Sequence, residues 1–320
     1  MIYLNRFYLP TERDYYGTSD FYPFNVFCNK DFEEISFNNI TIFYGSNGSG
    51  KSTLINIIIK ELNKRQEVIK ANRVKTDEIE RPLYENFRSV NMDDFVKKCE
   101  SEIINKIPIG SELISSEDIF DFLLRKRTEN TKKDQERKRL DDDYWFANNR
   151  GPDAVPISTF RNDLDRYCEI VRLRSAKSSK KLIESRVEKN EQELSNGQTS
   201  LDYYNEKLKE NTLYFLDEPE NSLAPEYQLE LVKLIMEMSR FFKCQFVIAT
   251  HSPFILALPN AKIYDLDSKP VSIKSWFKLE NMKVYYDFFK SYKDKFEGNQ
   301  SWQIMRESEY GAFNNSKNTN

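Results

Sequence analysis

Two short segments of the chain carry residues suited to phosphate chemistry. Gly45-Ser-Asn-Gly-Ser-Gly-Lys-Ser52 fits the pattern GxxxxGK[ST] and lies between an apolar run at 40–44 and a helical pattern at 52–65. Glycines at these positions let backbone N–H groups close around phosphate oxygens, and the helix start adds a partial positive charge. Far along the chain, the apolar run 212–216 ends in Asp217-Glu218. Such a pair is suited to holding a metal ion and activating water, so the two segments together predict hydrolysis of a nucleoside triphosphate.

The first of these segments, the phosphate loop Gly45–Ser52, has a predicted role for most of its residues. Lys51 is expected to hold the β- and γ-phosphates, Ser52 to coordinate Mg²⁺, and Thr53 to contact the α-phosphate. The other predicted phosphate-binding residues of the loop are Gly45, Asn47, Gly48 and Gly50. The alternative is a glycine-rich turn without a ligand. It is disfavoured because the loop has the preceding strand and following helix that phosphate binding requires.

The carboxylate pair follows a segment that reads as a buried parallel strand. In α/β sheets, ligands bind at the carboxyl ends of such strands. Asp217 is expected to hold Mg²⁺ through water, and Glu218 to orient or deprotonate the water that attacks the γ-phosphate. The alternative interpretation is a pair of ordinary surface charges.

The single histidine of the chain, His251, follows another apolar run, Gln245–Thr250. From the residues alone, it either caps a strand by bonding a neighbouring backbone group or belongs to the phosphate site. One histidine and four widely spaced cysteines without a CxxC pair argue against a zinc site.

Composition limits the location and partners of the chain. The net charge of −3 provides no global basic field for nucleic acid or an anionic membrane. No apolar run approaches the roughly 20 residues that span a bilayer, and Met1–Leu9 alternates like a strand rather than a signal peptide. The distant cysteines indicate reduced thiols. We therefore expect a cytoplasmic protein without a membrane association.

The elements that must position these residues follow from the hydropathy pattern. The predicted strands are Ile2–Leu4, Phe24–Phe27, Ile35–Phe37, Ile40–Tyr44, 212–217, 245–250 and 262–266, and the predicted helices are 52–65, 225–242 and 280–296. They indicate an α/β fold with a mostly parallel sheet, an N-terminal antiparallel part and an inserted charged helical arm. The predicted divisions are an N-terminal lobe 1–114, the arm 115–190, a C-terminal lobe 191–300 and a disordered tail 301–320.

The predicted arm begins at a helix start, Ser115-Ser-Glu-Asp118, and has charged limbs at 125–143 and 182–193 with a tip near 148–156. Its basic residues are Arg125–Arg127, Lys132, Lys133, Arg137–Arg139, Lys180 and Lys181. These would suit nucleic acid, but acidic residues alternate with them, so a solvated and salt-bridged surface is favoured. Tyr22 and Phe24 would be able to stack on adenine, although core packing is the favoured interpretation in a chain with 14% aromatic residues.

The order of these motifs resembles the small soluble bacterial ABC-type ATPases, also called AAA family ATPases, which are relatives of chromosome-maintenance and double-strand-break-repair ATPases. The resemblance rests on the phosphate loop, on Leu194-Ser-Asn-Gly-Gln198, on Asp217–Pro225 and on Ala249-Thr-His-Ser-Pro-Phe-Ile-Leu256. It implies the P-loop fold of ABC ATPases and ATP hydrolysis with Mg²⁺.

The resemblance also implies roles across a dimer interface. Leu194–Gln198 resembles the LSGGQ signature, which in ABC proteins serves the nucleotide bound by the other protomer. The implied signature residues are Ser195, Asn196, Gly197 and Gln198. Asn221 and Ser222 would act as the D-loop, and His251 would contact the γ-phosphate and sense hydrolysis. The expected assembly is a head-to-tail homodimer, or a higher oligomer, with two ATP molecules at the interface.

Three features depart from the family pattern. No glutamine can be assigned to a Q-loop, since Gln66 lies too close to the phosphate loop. Ala224 replaces the aspartate of the transporter-type D-loop. The 144 residues from Lys51 to Ser195 (195 − 51) are many for a transporter ATPase and too few for a long coiled coil.

The resemblance implies an ATP-dependent switch or sensor for a separately encoded, nuclease-like or toxin-like effector in anti-phage defence. An alternative is a DNA-binding genome-maintenance ATPase, which keeps nucleic acid open as a partner. The ATP-binding subunit of a membrane transporter is disfavoured by the Ala-Thr-His-Ser-Pro segment and the missing Q-loop.

Overall fold

The computed structural model describes residues 1–11, 22–65, 70–71, 92–149, 164–176, 178–188 and 196–297. Several features of the sequence lie outside this part: Ser195, Gln66, residues 150–156 of the predicted arm tip and the predicted tail 301–320. The chain divides into two units, Met1–Ile273 and a second that begins at Lys274.

Apolar parallel strands form the larger sheet of the first unit, which contains seven strands among the described residues. In spatial order they are β10 (Ser272–Ile273), β9 (Lys262–Asp265), β3 (Ile40–Tyr44), β8 (Gln245–Ala249), β7 (Leu213–Asp217), β6 (Glu112–Ser115) and β4 (Lys70–Ala71). Neighbouring strands pair in parallel, except that β10 is antiparallel to β9 at the edge. Every residue of β3 and β8 is buried, as expected for central parallel strands. This arrangement confirms the predicted α/β class.

A smaller antiparallel sheet confirms the predicted N-terminal part. Its strands, in spatial order, are β2 (Glu34–Ser36), β1 (Leu4–Tyr8) and β5 (Glu100–Ile103). The strand predicted at Phe24–Phe27 is wrong, because this segment is the short helix α1. Phe24 and Phe27 are three residues apart, so one helical turn brings both rings to the same side, where both are buried. Phe24 packs against Phe95 with ring centroids 4.8 Å apart.

Helices α2 (Lys51–Lys64) and α8 (Pro225–Phe241) pack against strands of the larger sheet. Helix α3 (Met92–Val96) packs against α2, and α7 (Asn196–Lys207) and α9 (Pro253–Leu256) pack against α8. The predicted apolar stripe of α2, at Leu54, Ile55, Ile58 and Leu62, is fully buried. This stripe holds in place the helix whose N-terminus follows the phosphate loop.

The charged segment forms a three-helix arm. Its helices are α4 (Ser116–Asn149), α5 (Leu164–Ser175) and α6 (Ser179–Arg186). The predicted start is confirmed: the backbone N–H and the hydroxyl of Ser115 donate to Asp118 Oδ2 at 2.8 and 2.7 Å. Helix α4 has 34 residues, so it is about 51 Å long. Ala147, Leu173 and Leu182 form a small apolar cluster that joins the three helices.

Charged side chains of the arm pair with other residues of the arm. Arg137 donates to the backbone oxygen of Glu188 at 2.6 Å and pairs with Asp134 at 2.9 Å. Lys133 lies 3.6 Å from the Glu188 carboxylate. These contacts favour the salt-bridged interpretation of the arm over a basic surface.

The described part of the second unit is helical. It contains a 3₁₀ turn at Trp276–Lys278, α10 (Glu280–Ser291) and α11 (Lys293–Phe296). The single predicted helix 280–296 is therefore two helices that meet at Tyr292. Across the described ranges of both units, no helix has the length and apolar character needed to cross a membrane.

Candidate functional site

The strand register brings the three predicted motifs to one edge of the sheet. Strand β8 lies between β3 and β7, and Ala249 aligns with Phe43 on one side and with Asp217 on the other. The phosphate loop, the His251 segment and the carboxylate pair therefore all leave the sheet at its carboxyl edge. This is where parallel α/β sheets bind their ligands.

The phosphate loop has the tight backbone that its glycines suggested. Gly50 has φ of +103°, which other residues rarely adopt, and a Cβ atom there would lie 2.5 Å from Val26. The side chain of Lys51 is buried, and its ammonium donates to the backbone oxygens of Gly45 at 2.8 Å and Ser46 at 3.2 Å. The loop thus surrounds its own lysine.

Lys30, which the sequence did not single out, holds the phosphate loop from inside. Its ammonium donates to the backbone oxygens of Ser49 at 2.8 Å and Leu266 at 2.9 Å. Burial lowers the pKa of Lys30, and the neighbouring Asp267 partly opposes this effect. Nothing in the sequence around Lys30 indicates this role.

Asp267 holds the other side of the loop. Its carboxylate accepts hydrogen bonds from the backbone N–H of Ser46 at 2.7 Å and from the Ser46 hydroxyl at 2.9 Å. The one signal in the sequence was its position just after a predicted strand at 262–266.

The predicted metal-binding residues meet. The Ser52 hydroxyl, in the first turn of α2, donates to Asp217 Oδ1 at 2.9 Å.

The side chain of the adjacent Thr53 is within hydrogen-bonding distance of the Tyr22 hydroxyl, at 3.1 Å. Tyr22 is 50% exposed, so its predicted core packing is wrong, whereas Phe24 is buried as predicted.

Glu218 lies in a sharp turn directly after β7. Its φ is +49°, in the left-handed region, and its backbone N–H donates to the Ala249 oxygen at 2.9 Å. Its carboxylate accepts a hydrogen bond from the Asn221 amide at 3.0 Å. Ser222, the other predicted D-loop residue, is exposed and also has a positive φ, of 69°.

The segment around His251 is organised by Glu220, a residue that had no predicted role. Glu220 Oε1 accepts hydrogen bonds from the Thr250 hydroxyl at 2.7 Å, the His251 N–H at 2.9 Å and the Ser252 N–H at 3.1 Å. His251 Nδ1 lies 3.3 Å from Glu220 Oε1 and 4.0 Å from Glu218 Oε1. The histidine ring therefore faces carboxylates rather than a backbone group. The available signal was a third acid in Asp217-Glu-Pro-Glu220.

The predicted signature lies at the start of α7, which begins at Asn196. Gly197 packs against α8, since a Cβ atom there would lie 2.5 Å from the Tyr227 ring. A side chain at 197 would therefore require the Tyr227 ring to move. Gln198, next along the helix, is exposed.

Comparison with models of known protein families shows to which family the chain belongs. The model of the family described as ABC transporter matches residues 33–221, which is more than half of the chain. The chain belongs to this ABC family. A second model, described as AAA ATPase domain, matches residues 198–256 of the ABC protein. The predicted family and the predicted class, a P-loop ATPase, are therefore confirmed.

Solved structures with similarity to this ABC ATPase include SMC heads and transporter proteins. The Smc head domain with an extended coiled coil bound to the C-terminal domain of ScpA, from Pyrococcus furiosus, is 15% identical, with 90% of this chain and 100% of that chain covered and a TM-score of 0.37. The SMC head domain from Thermotoga maritima is 13% identical, with 86% and 99% covered and a TM-score of 0.34. A putative metal-chelate type ABC transporter in an inward-facing conformation is 15% identical, with 78% of each chain covered and a TM-score of 0.35. No curated protein sequence matches the chain.

Proposed function

We propose that the chain hydrolyses ATP with Mg²⁺ at the edge where β3, β7 and β8 end. The observation that carries the proposal is the 2.9 Å contact between Ser52 Oγ and Asp217 Oδ1. It joins the phosphate loop to the carboxylate pair although the two residues are 165 positions apart.

The donor set at this contact fits Mg²⁺. Magnesium binds hard oxygen ligands and usually takes one or two from the protein, with phosphate oxygens and water completing the shell. Ser52 supplies a hydroxyl and Asp217 a carboxylate, and these two residues would hold the ion. When bound, Mg²⁺ would neutralise charge on the phosphates.

The remaining side chains supply positioning. Lys51 would exchange its bonds to loop carbonyls for bonds to the β- and γ-phosphates, and Thr53 would contact the α-phosphate. Gly45, Asn47, Gly48 and Gly50 would line the loop. Glu218 would orient or deprotonate the attacking water, because its carboxylate is held beside the site by Asn221 at 3.0 Å.

The proposal extends to a dimer with two ATP molecules at its interface. Residues 195–198 would reach the nucleotide of the other protomer, and Asn221 and Ser222 would lie across the same interface. The exposure of Ser222 and Gln198 supports this assignment. Closure and opening of the dimer would act as a switch on a separately encoded effector, nuclease-like or toxin-like, in anti-phage defence; this last role rests on the family resemblance.

Thermal unfolding with and without ATP-Mg²⁺ tests the binding site. At 100 times its dissociation constant, ATP should stabilise the wild type by about 2.7 kcal/mol. Lys51→Ala should abolish this gain, whereas Lys60→Ala, an exposed lysine on the same helix, should keep it. A Lys51→Ala variant that ATP stabilises as strongly as the wild type would refute the assignment.

Capture of tagged Glu218→Gln protein from its native host in ATP-Mg²⁺ tests the cellular role. The switch predicts a nuclease-like or toxin-like protein that is absent from the Lys51→Ala capture. A membrane permease in its place would favour transport, and DNA-stimulated ATP hydrolysis would favour genome maintenance.

A further inference from the structure

Glu220 is an acidic residue buried beside the proposed site. Its side chain is 6% exposed, compared with 28% for Glu218 and 44% for His251. A buried carboxylate is stable only where hydrogen bonds replace its hydration. Here Thr250, His251 and Ser252 donate three hydrogen bonds to the same oxygen, Oε1. One side chain thus fixes the backbone and the hydroxyl of the segment that carries the histidine.

Two polar atoms at this contact lack a hydrogen bond of their own. They are Glu220 Oε2 and His251 Nδ1, and both atoms are buried. Nδ1 lies 3.3 Å from Glu220 Oε1, close enough to interact but not aligned as a hydrogen bond. A small rotation of the ring or the carboxylate would pair Nδ1 with this carboxylate.

The chemistry of the two groups sets the position of the proton. An ionised carboxylate only accepts hydrogen bonds, so a ring nitrogen that faces it must carry the hydrogen. Glu218 is the weaker candidate for this partner, because its nearest oxygen is 4.0 Å from Nδ1 and its carboxylate already bonds Asn221.

We propose that Glu220 is a positioning residue that holds His251 in the tautomer with the proton on Nδ1, so that Nε2 is the nitrogen presented to the ligand. The role in hydrolysis rests on the proposed function, but the tautomer itself does not. Nδ1 is buried while the side chain is 44% exposed, so the exposed part belongs to the rest of the residue, where Nε2 lies.

This assignment changes what the histidine can do. With its proton on Nδ1, the neutral ring offers Nε2 as a hydrogen-bond acceptor, which suits a water molecule rather than a phosphate oxygen. With Nδ1 already protonated, donation from Nε2 to a γ-phosphate would need a second proton on the ring.

The tautomer can be measured directly because His251 is the single histidine of the chain. Protein labelled with ¹⁵N-histidine gives one imidazole spin system, and two-bond ¹H–¹⁵N correlations at a pH where the ring is neutral identify the protonated nitrogen. We expect Nδ1–H to predominate in the wild type. A wild-type ring with its proton mainly on Nε2 would overturn the proposal without any variant.

Two matched variants distinguish the effect of the Glu220 carboxylate on the His251 tautomer from that of the Glu218 carboxylate. Glu220→Gln keeps a carbonyl oxygen for the three donors but removes the charge, so we expect the tautomer population to move towards Nε2–H. Glu218→Gln should leave it unchanged. A shift in the Glu218 variant and none in the Glu220 variant would assign the role to Glu218 instead.

Kinetics test whether the positioning matters. Groups that orient a metal-binding histidine typically contribute about 10- to 100-fold, and we take the same order for a group that orients His251. We therefore expect Glu220→Gln to lower kcat by at least about tenfold at unchanged ATP affinity, while Glu230→Gln, an exposed glutamate of α8, retains the wild-type rate. An unchanged kcat in Glu220→Gln would refute the catalytic part. A wild type that hydrolyses no ATP would instead refute the proposed function and leave the tautomer measurement valid.

Discussion

Lys30→Met tests whether a buried lysine sets the shape of the phosphate loop. The Lys30 ammonium binds the backbone oxygens of Ser49 and Leu266, so it joins the loop to the segment after β9. A peptide group is planar, and in its trans form the C=O and N–H point in opposite directions. The Ser49 oxygen points towards Lys30, so the Gly50 N–H of the same peptide group points away from Lys30. A phosphate-binding loop needs backbone N–H groups that are directed at the phosphate rather than at the protein interior.

The expected change in unfolding free energy follows from the two hydrogen bonds that Lys30 donates. Hydrogen bonds from a charged donor contribute about 1.5–3 kcal/mol each, but burying an ammonium costs several kcal/mol. Methionine avoids that cost and leaves two buried carbonyl oxygens without this donor, at about 1–3 kcal/mol each. We expect Lys30→Met to lower the unfolding free energy by about 2 kcal/mol. In Lys30→Met the phosphate loop would have to become ordered when ATP binds, and part of the binding free energy would be used for this. We therefore expect the variant to bind ATP about tenfold more weakly than the wild type, which corresponds to about 1.4 kcal/mol.

Urea unfolding between pH 7 and pH 10.5 is the assay, with Lys60→Met as the exposed control. Burial lowers the pKa of Lys30 from its ordinary value of 10.5. Between the lowered value and pH 10.5 the unfolded state binds more protons than the folded state, so the wild type gains stability with rising pH relative to Lys30→Met. If the wild type and Lys30→Met have equal stability and equal ATP affinity, with no divergence as pH rises, Lys30 does not set the shape of the loop.

Other variants test the dimer and the outer side of the loop. Glu218→Gln should trap an ATP-bound dimer, seen by light scattering as a doubled mass; a monomer mass at saturating ATP-Mg²⁺ would count against the dimer. Ser195→Arg should block this dimer but leave ATP binding intact, and loss of ATP binding would show that the signature does not act across an interface. Asp267→Ala should weaken ATP binding a few-fold, because both bonds to Ser46 are lost. Asp267→Asn keeps an acceptor and should bind nearly normally, so equal affinities of the two variants would show that the hydrogen bonds do not matter.

The sequence predicted the central strands well, because their signal is local. Ile40–Tyr44 and Gln245–Ala249 are apolar throughout, a pattern typical of strands buried on both faces. The error at Phe24–Phe27 arose because four residues with two aromatics fit one helical turn as well as a strand. The first limb of the arm was predicted in outline, because the expected start at Ser115–Asp118 and the tip near 148–156 agree with α4 at Ser116–Asn149. From Arg125 to Asp143 most residues are charged and Leu140 is the one apolar residue, so the packing of α4 against α5 and α6 was not visible in this segment.

The residues of the site also fall into two groups, those that the sequence identified and those that it did not. Lys51, Ser52 and Asp217 were identified because their types and neighbours form motifs within a few residues. Lys30 and Asp267 were not assigned, because their contacts join positions 236 and 221 residues apart. Only the fold brings such residues together. Their importance therefore appears in distances rather than in spacing along the chain.

Hydrolysis by Glu218 is best tested by measuring phosphate release from ATP-Mg²⁺ with purified wild type and Glu218→Gln. The nucleotide concentrations should be ones at which binding has been verified for both proteins. We expect steady turnover by the wild type and little by the variant, because the Glu218 carboxylate acts on water and not on nucleotide binding. Equal turnover by the two proteins, or ATP binding without turnover by the wild type, would contradict this expectation.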